Sequence, residues 1–255
     1  MTLRPSSTSP HAGLRTLALF VLLAAAVAAA IELVAGPGYR FGWWPLGIGL
    51  QTMRWAASAA LLAAAAGLLV LLRAAIVKSP DVLRIAGAAL VIGLVAGGPP
   101  AYLWREVQRL PHIHDITTDT ARPPAFVAVA PLRRGLPNGV DYLPAVGAQQ
   151  HAGYPDIAPL VLAGVTPEKA FERARRVAAS MGWTAVAEAP SEGRLEATAT
   201  SMLFGFKDDI VVRIAPQGAG SRIDVRSMSR VGGSDFGVNA KRVRRFLEGV
   251  AKSVD

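Results

Sequence analysis

Three long apolar stretches near the amino terminus restrict what this chain can fold into. They cover residues 14–35, 55–77 and 82–104. At a rise of about 1.5 Å per residue, a helix over each stretch is long enough to cross a hydrocarbon layer of about 30 Å. Helices of a soluble protein would need a large partner core to cover three such runs in succession. The sequence therefore predicts a multi-pass membrane domain over residues 1–110.

The charge distribution favours a membrane over nucleic acid. The 255-residue chain is 52% hydrophobic and has a formal net charge of +9. Residues before Pro111 include nine basic and three acidic side chains, a net of +6, which leaves +3 for the remainder. Most of the basicity flanks the apolar stretches, where it sets topology and meets anionic headgroups. We expect the lipid bilayer as a partner and no nucleic acid. The chain has no cysteine, which excludes disulfides and thiol chemistry.

Flanking residues indicate which side of the membrane each end occupies. Five basic residues lie on the side of the amino terminus and four on the other side, where aromatic side chains border the first loop and the end of the third stretch. We therefore predict a bacterial inner (plasma) membrane protein with a cytoplasmic amino terminus and an extracytoplasmic domain after Trp104. The first stretch could instead be a signal peptide, because Arg15 precedes an apolar run that ends in small residues such as Ala28 and Ala30.

Beyond the apolar stretches, the pattern predicts a connector followed by an α+β domain. Residues 111–163 are rich in proline and glycine with weak periodicity, and residues 164–255 show both helical and strand patterns. Thr166 and Pro167 are typical of a helix start. Four alternating segments follow, and then a final helix with one apolar face. We predict an antiparallel four-stranded sheet covered on one face by two helices.

Two adjoining segments resemble a known family. The segments read RLEATATSMLFGFKDDIVVRI and SRIDVRSMSRVGGSDFGVNAKRVRRFL, and they are similar to the domain of unknown function 1499 family, an uncharacterised bacterial and plastid family. The similarity covers most of residues 111–250. The family pattern has a cysteine in a PNCV motif where this chain has Gly139, so any thiol role is excluded here. The resemblance implies no activity, and function must be argued from a site.

Matching the apolar faces of the third and fourth predicted strands sets their register. Ile214 then faces Ile223, and Asp208 faces Ser229 on the helix side of the sheet. A charge on that face needs partners, because an unpaired buried carboxylate is costly. The sequence therefore predicts a polar corner, which either stabilises the domain or forms a binding or catalytic pocket. Its members are Asp208, Ser227, Ser229, Arg230 and Asn239.

The same register predicts ion pairs on the opposite face. Arg213 faces Asp224, and Arg226 lies nearby, which favours a solvent-exposed ladder of ion pairs on the sheet surface or a polar ligand surface. His112 and His114 are too few to predict a metal site. We find no cofactor-binding or nucleophile motif, so no cofactor is expected. Basic residues on the last helix could meet a solvated surface or anionic lipid.

These observations lead to one functional hypothesis and one alternative. The first is a membrane-anchored protein, more an interaction module than an enzyme, whose extracytoplasmic domain binds or scaffolds a lipid or protein of the cell envelope. The alternative is a hydrolase or transferase that acts on an envelope lipid or glycan at the polar corner. A corner open to solvent would favour the enzyme, and a sealed corner would favour the module.

Overall fold

The computed structural model describes residues 11–253. The chain divides into two compact units, with the boundary between Gln108 and Arg109.

The first unit contains three helices that are long and apolar enough to cross a membrane. They are α1 (Ala12–Arg40), α2 (Leu46–Ile76) and α3 (Pro80–Val107). Their most apolar windows have mean hydropathies of 2.7, 2.3 and 1.8. The three predicted helices are therefore present, and each has the length and composition of a candidate membrane span. Helix α3 continues through Pro99 and Pro100 to Val107, so the two prolines do not end it.

Small residues bring α2 and α3 close together. A Cβ atom on Gly93 would lie 2.4 Å from the carbonyl oxygen of Ala60, and one on Gly97 would lie 2.7 Å from that of Ala57. Any larger side chain at either glycine would push the helices apart. The alanine-rich second stretch therefore packs against a helix of its own chain, as small residues commonly do in membrane bundles.

The second unit is built around an antiparallel sheet of six strands, where the sequence predicts four. The strands are β1 (Asp115–Thr117), β2 (Leu160–Leu162), β3 (Thr184–Ala189), β4 (Arg194–Thr200), β5 (Lys207–Gln217) and β6 (Gly220–Ser229). Their order is β1-β6-β5-β4-β3, and β2 also pairs with β6. The two extra strands lie within residues 111–163, the predicted connector. Each has only three residues, too few to show a strand pattern in sequence.

Observed pairing between β5 and β6 has the predicted register. Ile214 pairs with Ile223, Arg213 with Asp224, and Asp208 with Ser229. Because side chains alternate along a strand, this register fixes which of them share a face of the sheet.

The first face of the sheet shares an apolar core with helices α5 (Pro167–Ser180) and α6 (Val238–Lys252). Phe171 and Phe246 from the helices and Leu195 and Ile210 from the strands are all buried there. The Trp183 ring stacks on Phe246 with 4.9 Å between centroids. The side chain of Thr166 accepts a hydrogen bond from the backbone amide of Lys169 in the first turn of α5, as expected for the residue that caps the helix start.

The second face of the sheet is covered by residues 118–143, which we call the covering segment. This segment contains a short 3₁₀ helix, Ala130–Arg133, and α4 (Pro144–Gly153) follows it. Phe126 and Val129 of the covering segment pack against Val211 and Met228 of the sheet. The second face is therefore buried, and its polar side chains need partners within the domain.

Candidate functional site

The polar corner forms where β5 begins and β6 ends, beside the start of α6. Ser227 Oγ donates a hydrogen bond to Asn239 Oδ1 at 2.7 Å. Asn239 Nδ2 donates to Ser229 Oγ and to the carbonyl oxygen of His114, both at 3.0 Å. Strand alternation places Ser227 and Ser229 on one face, and the first turn of α6 brings Asn239 to them. Four of the five predicted members, including Asp208, thus lie together.

Arg242 completes the corner, and sequence reasoning missed it. Its Nη2 atom lies 2.6 Å from Asp208 Oδ2. Its Nη1 atom donates to Ser227 Oγ at 3.0 Å and to the side-chain oxygen of Asn239. Asn239 and Arg242 are three residues apart and so lie on one face of the helix. Asp208 is expected to need a partner, and this spacing could have identified Arg242 as that partner from the sequence.

Asp235 holds the start of α6 beneath the corner. Its carboxylate accepts hydrogen bonds from the amides of Gly237 at 2.9 Å and Asn239 at 2.6 Å. Burial raises the pKa of Asp235, and the negative charge of Asp208 acts in the same direction, although the two amide hydrogen bonds oppose them. This carboxylate satisfies helix amides that would otherwise lack partners.

Arg230 does not join the corner, contrary to the sequence prediction. Its guanidinium pairs with the Asp209 carboxylate, with Nε–Oδ2 and Nη2–Oδ1 distances of 2.8 Å. Asp209 alternates with Asp208 along β5 and so lies on the second face of the sheet. Arg230 follows the end of β6, where strand alternation no longer determines the direction of a side chain.

The corner is sealed. Asp208 is 6% exposed, Ser229 is 7% exposed, and Ser227 and Asn239 are fully buried. Within the described residues, 11–253, neither serine hydroxyl forms a hydrogen bond with a histidine or a carboxylate that could act as a base. The Asp208 carboxylate is instead paired with Arg242. The arrangement suits a polar network that fixes α6 to the sheet.

The carboxylates of the ion pairs on the second face are buried, although the Arg213 side chain is 35% exposed, so the predicted solvent-exposed ladder does not form there. The predicted pair does form: Arg213 Nη2 lies 2.9 Å from Asp224 Oδ2. Asp224 is nevertheless only 1% exposed and Arg226 only 3%. Arg213 also pairs with Asp119 of the covering segment at 3.0 Å. Strand alternation shows that this face of the sheet carries polar side chains. It does not show that a segment distant in sequence covers the face and excludes water from it.

Arg226 binds the first strand in a bidentate ion pair. Its Nε and Nη2 atoms donate to the two carboxylate oxygens of Asp115 at 3.0 and 2.8 Å. The guanidinium also lies 5.0 Å from the centroid of the Phe126 ring and 5.4 Å from that of Tyr142. Burial, together with the charge of Asp115, raises the pKa of Tyr142 to about 12. Because the Asp115 carboxylate is paired with Arg226, it does not form a metal site with His112 and His114.

Arg133 and Glu196 also join the covering segment to the sheet, and sequence reasoning did not identify either connection. Arg133 Nη1 lies 2.8 Å from Asp209 Oδ2, with both side chains buried. Burial lowers the pKa of Arg133, opposed by the charge of Asp209. The fully buried Glu196 carboxylate accepts hydrogen bonds from three successive backbone amides, those of residues 127–129, at 2.8 to 3.1 Å. It also pairs with Arg194.

A family model described as protein of unknown function (DUF1499) matches residues 115–250. The chain belongs to this family. The match begins at the first residue of β1 and ends within α6, so it contains the six strands, the covering segment and the polar corner. The three apolar helices lie outside it. No curated protein matches the chain.

The DUF1499 domain thus places its buried charged side chains in two internal networks, one on each face of the sheet. In the part of the chain that the structure describes, no group of three or more histidine or carboxylate side chains is arranged to hold a metal ion. Gly139 is exposed, and its carbonyl oxygen accepts a hydrogen bond from Arg133 Nε at 3.0 Å. A Cβ atom there would meet no other atom within 4 Å.

Proposed function

We propose that this protein is a membrane-anchored interaction module whose DUF1499 domain binds or scaffolds a component of the cell envelope. The sealed polar corner carries the proposal. Its side chains hydrogen-bond one another and are shielded from solvent, so they are occupied in stabilising the domain. A partner would then be contacted through the outer surface of the domain.

We place the protein in a bacterial plasma membrane with its DUF1499 domain on the extracytoplasmic side. Aromatic side chains support this orientation, because rings concentrate at membrane interfaces. Trp43, Trp55 and Trp104 are 63%, 61% and 55% exposed. Trp43 follows α1, Trp55 lies in the first third of α2, and Trp104 lies in the last turn of α3. The Arg54 guanidinium is 5.7 Å from the centroid of Trp55 and 6.0 Å from that of Trp104. This end of the bundle therefore has the composition of an interfacial belt.

The partner under this proposal is an anionic lipid or an envelope protein. Helix α6 has four basic residues in its first half, and two of them form ion pairs with carboxylates of the same domain. Arg242 pairs with Asp208, and Arg244 pairs with Asp156 at 2.6 Å. Lys241 and Arg245 remain exposed. An exposed basic surface beside a membrane attracts anionic groups.

Co-purification tests the proposal. The full chain is extracted from its membrane in mild detergent, and bound lipids and proteins are identified by mass spectrometry. A chain that ends at Gln108 serves as the control, because it keeps the three apolar helices and lacks the domain. We expect the full chain to retain a lipid or protein that the control does not. Identical sets of retained molecules would contradict a binding role for the domain.

The alternative is a hydrolase or transferase that acts on an envelope lipid or glycan. It requires the sealed corner to open and expose Asp208, Ser229 and Asn239. Turnover of such a substrate by the purified full chain, abolished by Ser229→Ala with an unchanged melting temperature, would favour the enzyme over the interaction module.

A further inference from the structure

One end of the sheet carries apolar side chains that the folded domain leaves exposed. Residues 201–206 join β4 to β5 at this end, and within them Met202 is 87% exposed and Leu203 is 40% exposed. This connection is held by hydrogen bonds. The Ser201 amide donates to the Phe206 carbonyl oxygen at 2.8 Å, and the Phe206 amide donates to Ser201 Oγ at 2.9 Å. The exposed side chains therefore project from an ordered turn.

Phe236 lies at the same end in a costly backbone conformation. The Asp235 amide, one residue before it, donates to the carbonyl oxygen of Ile113 at 3.0 Å, and Ile113 comes two residues before β1, which begins beside the end of β6. Phe236 has a φ of 55°, a left-handed conformation that bulky residues rarely adopt. Its side chain is nevertheless 45% exposed, so packing within the domain buries only about half of it. Strained backbone of this kind is found more often at functional positions than at positions that only pack the core.

Only a short connection separates this end of the sheet from α3 along the chain. Asp115 begins β1 at this end, since it pairs with Met228 near the end of β6. It follows Val107, the last residue of α3, by eight residues. Because α3 is long and apolar enough to cross a membrane, this short connection favours a bilayer as the surface that the exposed apolar side chains meet.

We propose that Met202, Leu203 and Phe236, which we call the apolar tip, insert into the interfacial layer of the membrane that holds the three helices. Apolar and aromatic side chains beside a cationic residue are typical of interfacial segments. Lys207, exposed directly after the turn, supplies the cation for lipid phosphate groups. The inference rests on the membrane anchoring in the proposed function and not on the side that the domain occupies.

Site-directed spin labelling tests the insertion, and the chain suits it because it has no cysteine. Single-cysteine variants Met202→Cys and Phe236→Cys of the full chain carry a nitroxide label in vesicles of phosphatidylethanolamine and phosphatidylglycerol. Val161→Cys is the matched control: Val161 is also apolar, is 50% exposed, and lies towards the other end of β6. Collision of each label with oxygen and with a water-soluble nickel chelate reports its depth in the bilayer.

We expect the labels at 202 and 236 to collide more with oxygen than with the nickel chelate, and the label at 161 to show the reverse. Aqueous behaviour at all three positions would overturn the insertion. Protection of the tip labels from both reagents would also overturn it, because a protein contact shields a label from each. Flotation with the vesicles separates the two proposals: a chain that does not float contradicts the anchoring, whereas a floating chain with aqueous labels contradicts only the insertion.

Discussion

Arg226 of β6 and Asp115 of β1 form a bidentate ion pair with both side chains almost completely buried, 3% and 2% exposed. Removing one partner of such a pair leaves an uncompensated charge, which costs about 3–5 kcal/mol. We therefore expect Asp115→Ala to lower the free energy of unfolding of the DUF1499 domain by about this amount, measured by urea denaturation of the full chain in detergent.

The pair Glu172 and Arg175 provides the control for that prediction. Its side chains are 52% and 45% exposed, and exposed pairs contribute only about 0.2–1 kcal/mol. Equal losses for Asp115→Ala and Glu172→Ala would contradict the account of a buried network.

Glu196→Gln tests how the covering segment is held on the sheet. A glutamine side chain presents an NH₂ group where the carboxylate accepts hydrogen bonds from the amides of residues 127–129, and leaving such donors unsatisfied costs about 1–3 kcal/mol. We expect faster hydrogen exchange at these three amides. Glu192→Gln is the control, because Glu192 also binds Arg194 but is 62% exposed. Unchanged exchange in the Glu196 variant would show that the carboxylate does not hold the segment.

Asp208→Ala tests whether the polar corner is structural. It leaves the Arg242 guanidinium, itself only 12% exposed, without its carboxylate. We expect a loss of about 3 kcal/mol in stability, and partial recovery in the double variant Asp208→Ala/Arg242→Met, which removes both charges. An unchanged melting temperature for Asp208→Ala would instead indicate that this carboxylate faces a ligand.

Asp235 makes the stability of the domain depend on pH. Its pKa is raised by burial, so the folded state holds the proton more tightly than an unfolded aspartate, whose pKa is about 3.9. The contribution from Asp235 is therefore complete below about pH 3.9 and is lost as the pH rises through the folded pKa. Asp235→Asn cannot ionise. Relative to the wild type, its free energy of unfolding should increase between about pH 3 and about pH 7.

Asp119→Asn should change the pH dependence of stability in the opposite direction: relative to the wild type, its free energy of unfolding should decrease as the pH rises. Burial alone would raise the pKa of Asp119, but the hydrogen bond from the Arg122 amide and the charges of Arg213 and Arg222 outweigh this effect and lower the pKa. Its contribution is present above about pH 3.9 and is lost as the pH falls through the folded value. The same pH trend in both variants would contradict the assignment of these two environments.

Local sequence patterns predict much of this fold because the relevant interactions are local or repetitive. The three apolar runs indicate the helices α1–α3, and the alternation in β5 and β6 predicts the observed pairing of Arg213 with Asp224. The same alternation places Asp208 and Ser229 together. Side-chain direction follows from position as long as the strand is regular.

What the sequence does not predict depends on contacts between distant segments. The three-residue strand β1 is recognisable only by its pairing with β6, more than a hundred residues later. The burial of Arg226 depends on Phe126 and Tyr142, which lie in a proline-rich stretch without periodicity. Arg230 pairs with Asp209. It lies just after the end of β6, where the alternation of side chains along a strand no longer predicts which face a residue occupies.

We propose that three membrane helices hold the DUF1499 domain on the extracytoplasmic side of the membrane. Alkaline phosphatase fused after Asp255 tests this directly, because the enzyme is active only after export from the cytoplasm. A cytoplasmic reporter fused at the same residue provides the comparison. We predict an active phosphatase fusion and an inactive cytoplasmic reporter. A phosphatase fusion that is expressed but inactive, beside an active cytoplasmic reporter, would contradict the proposed topology.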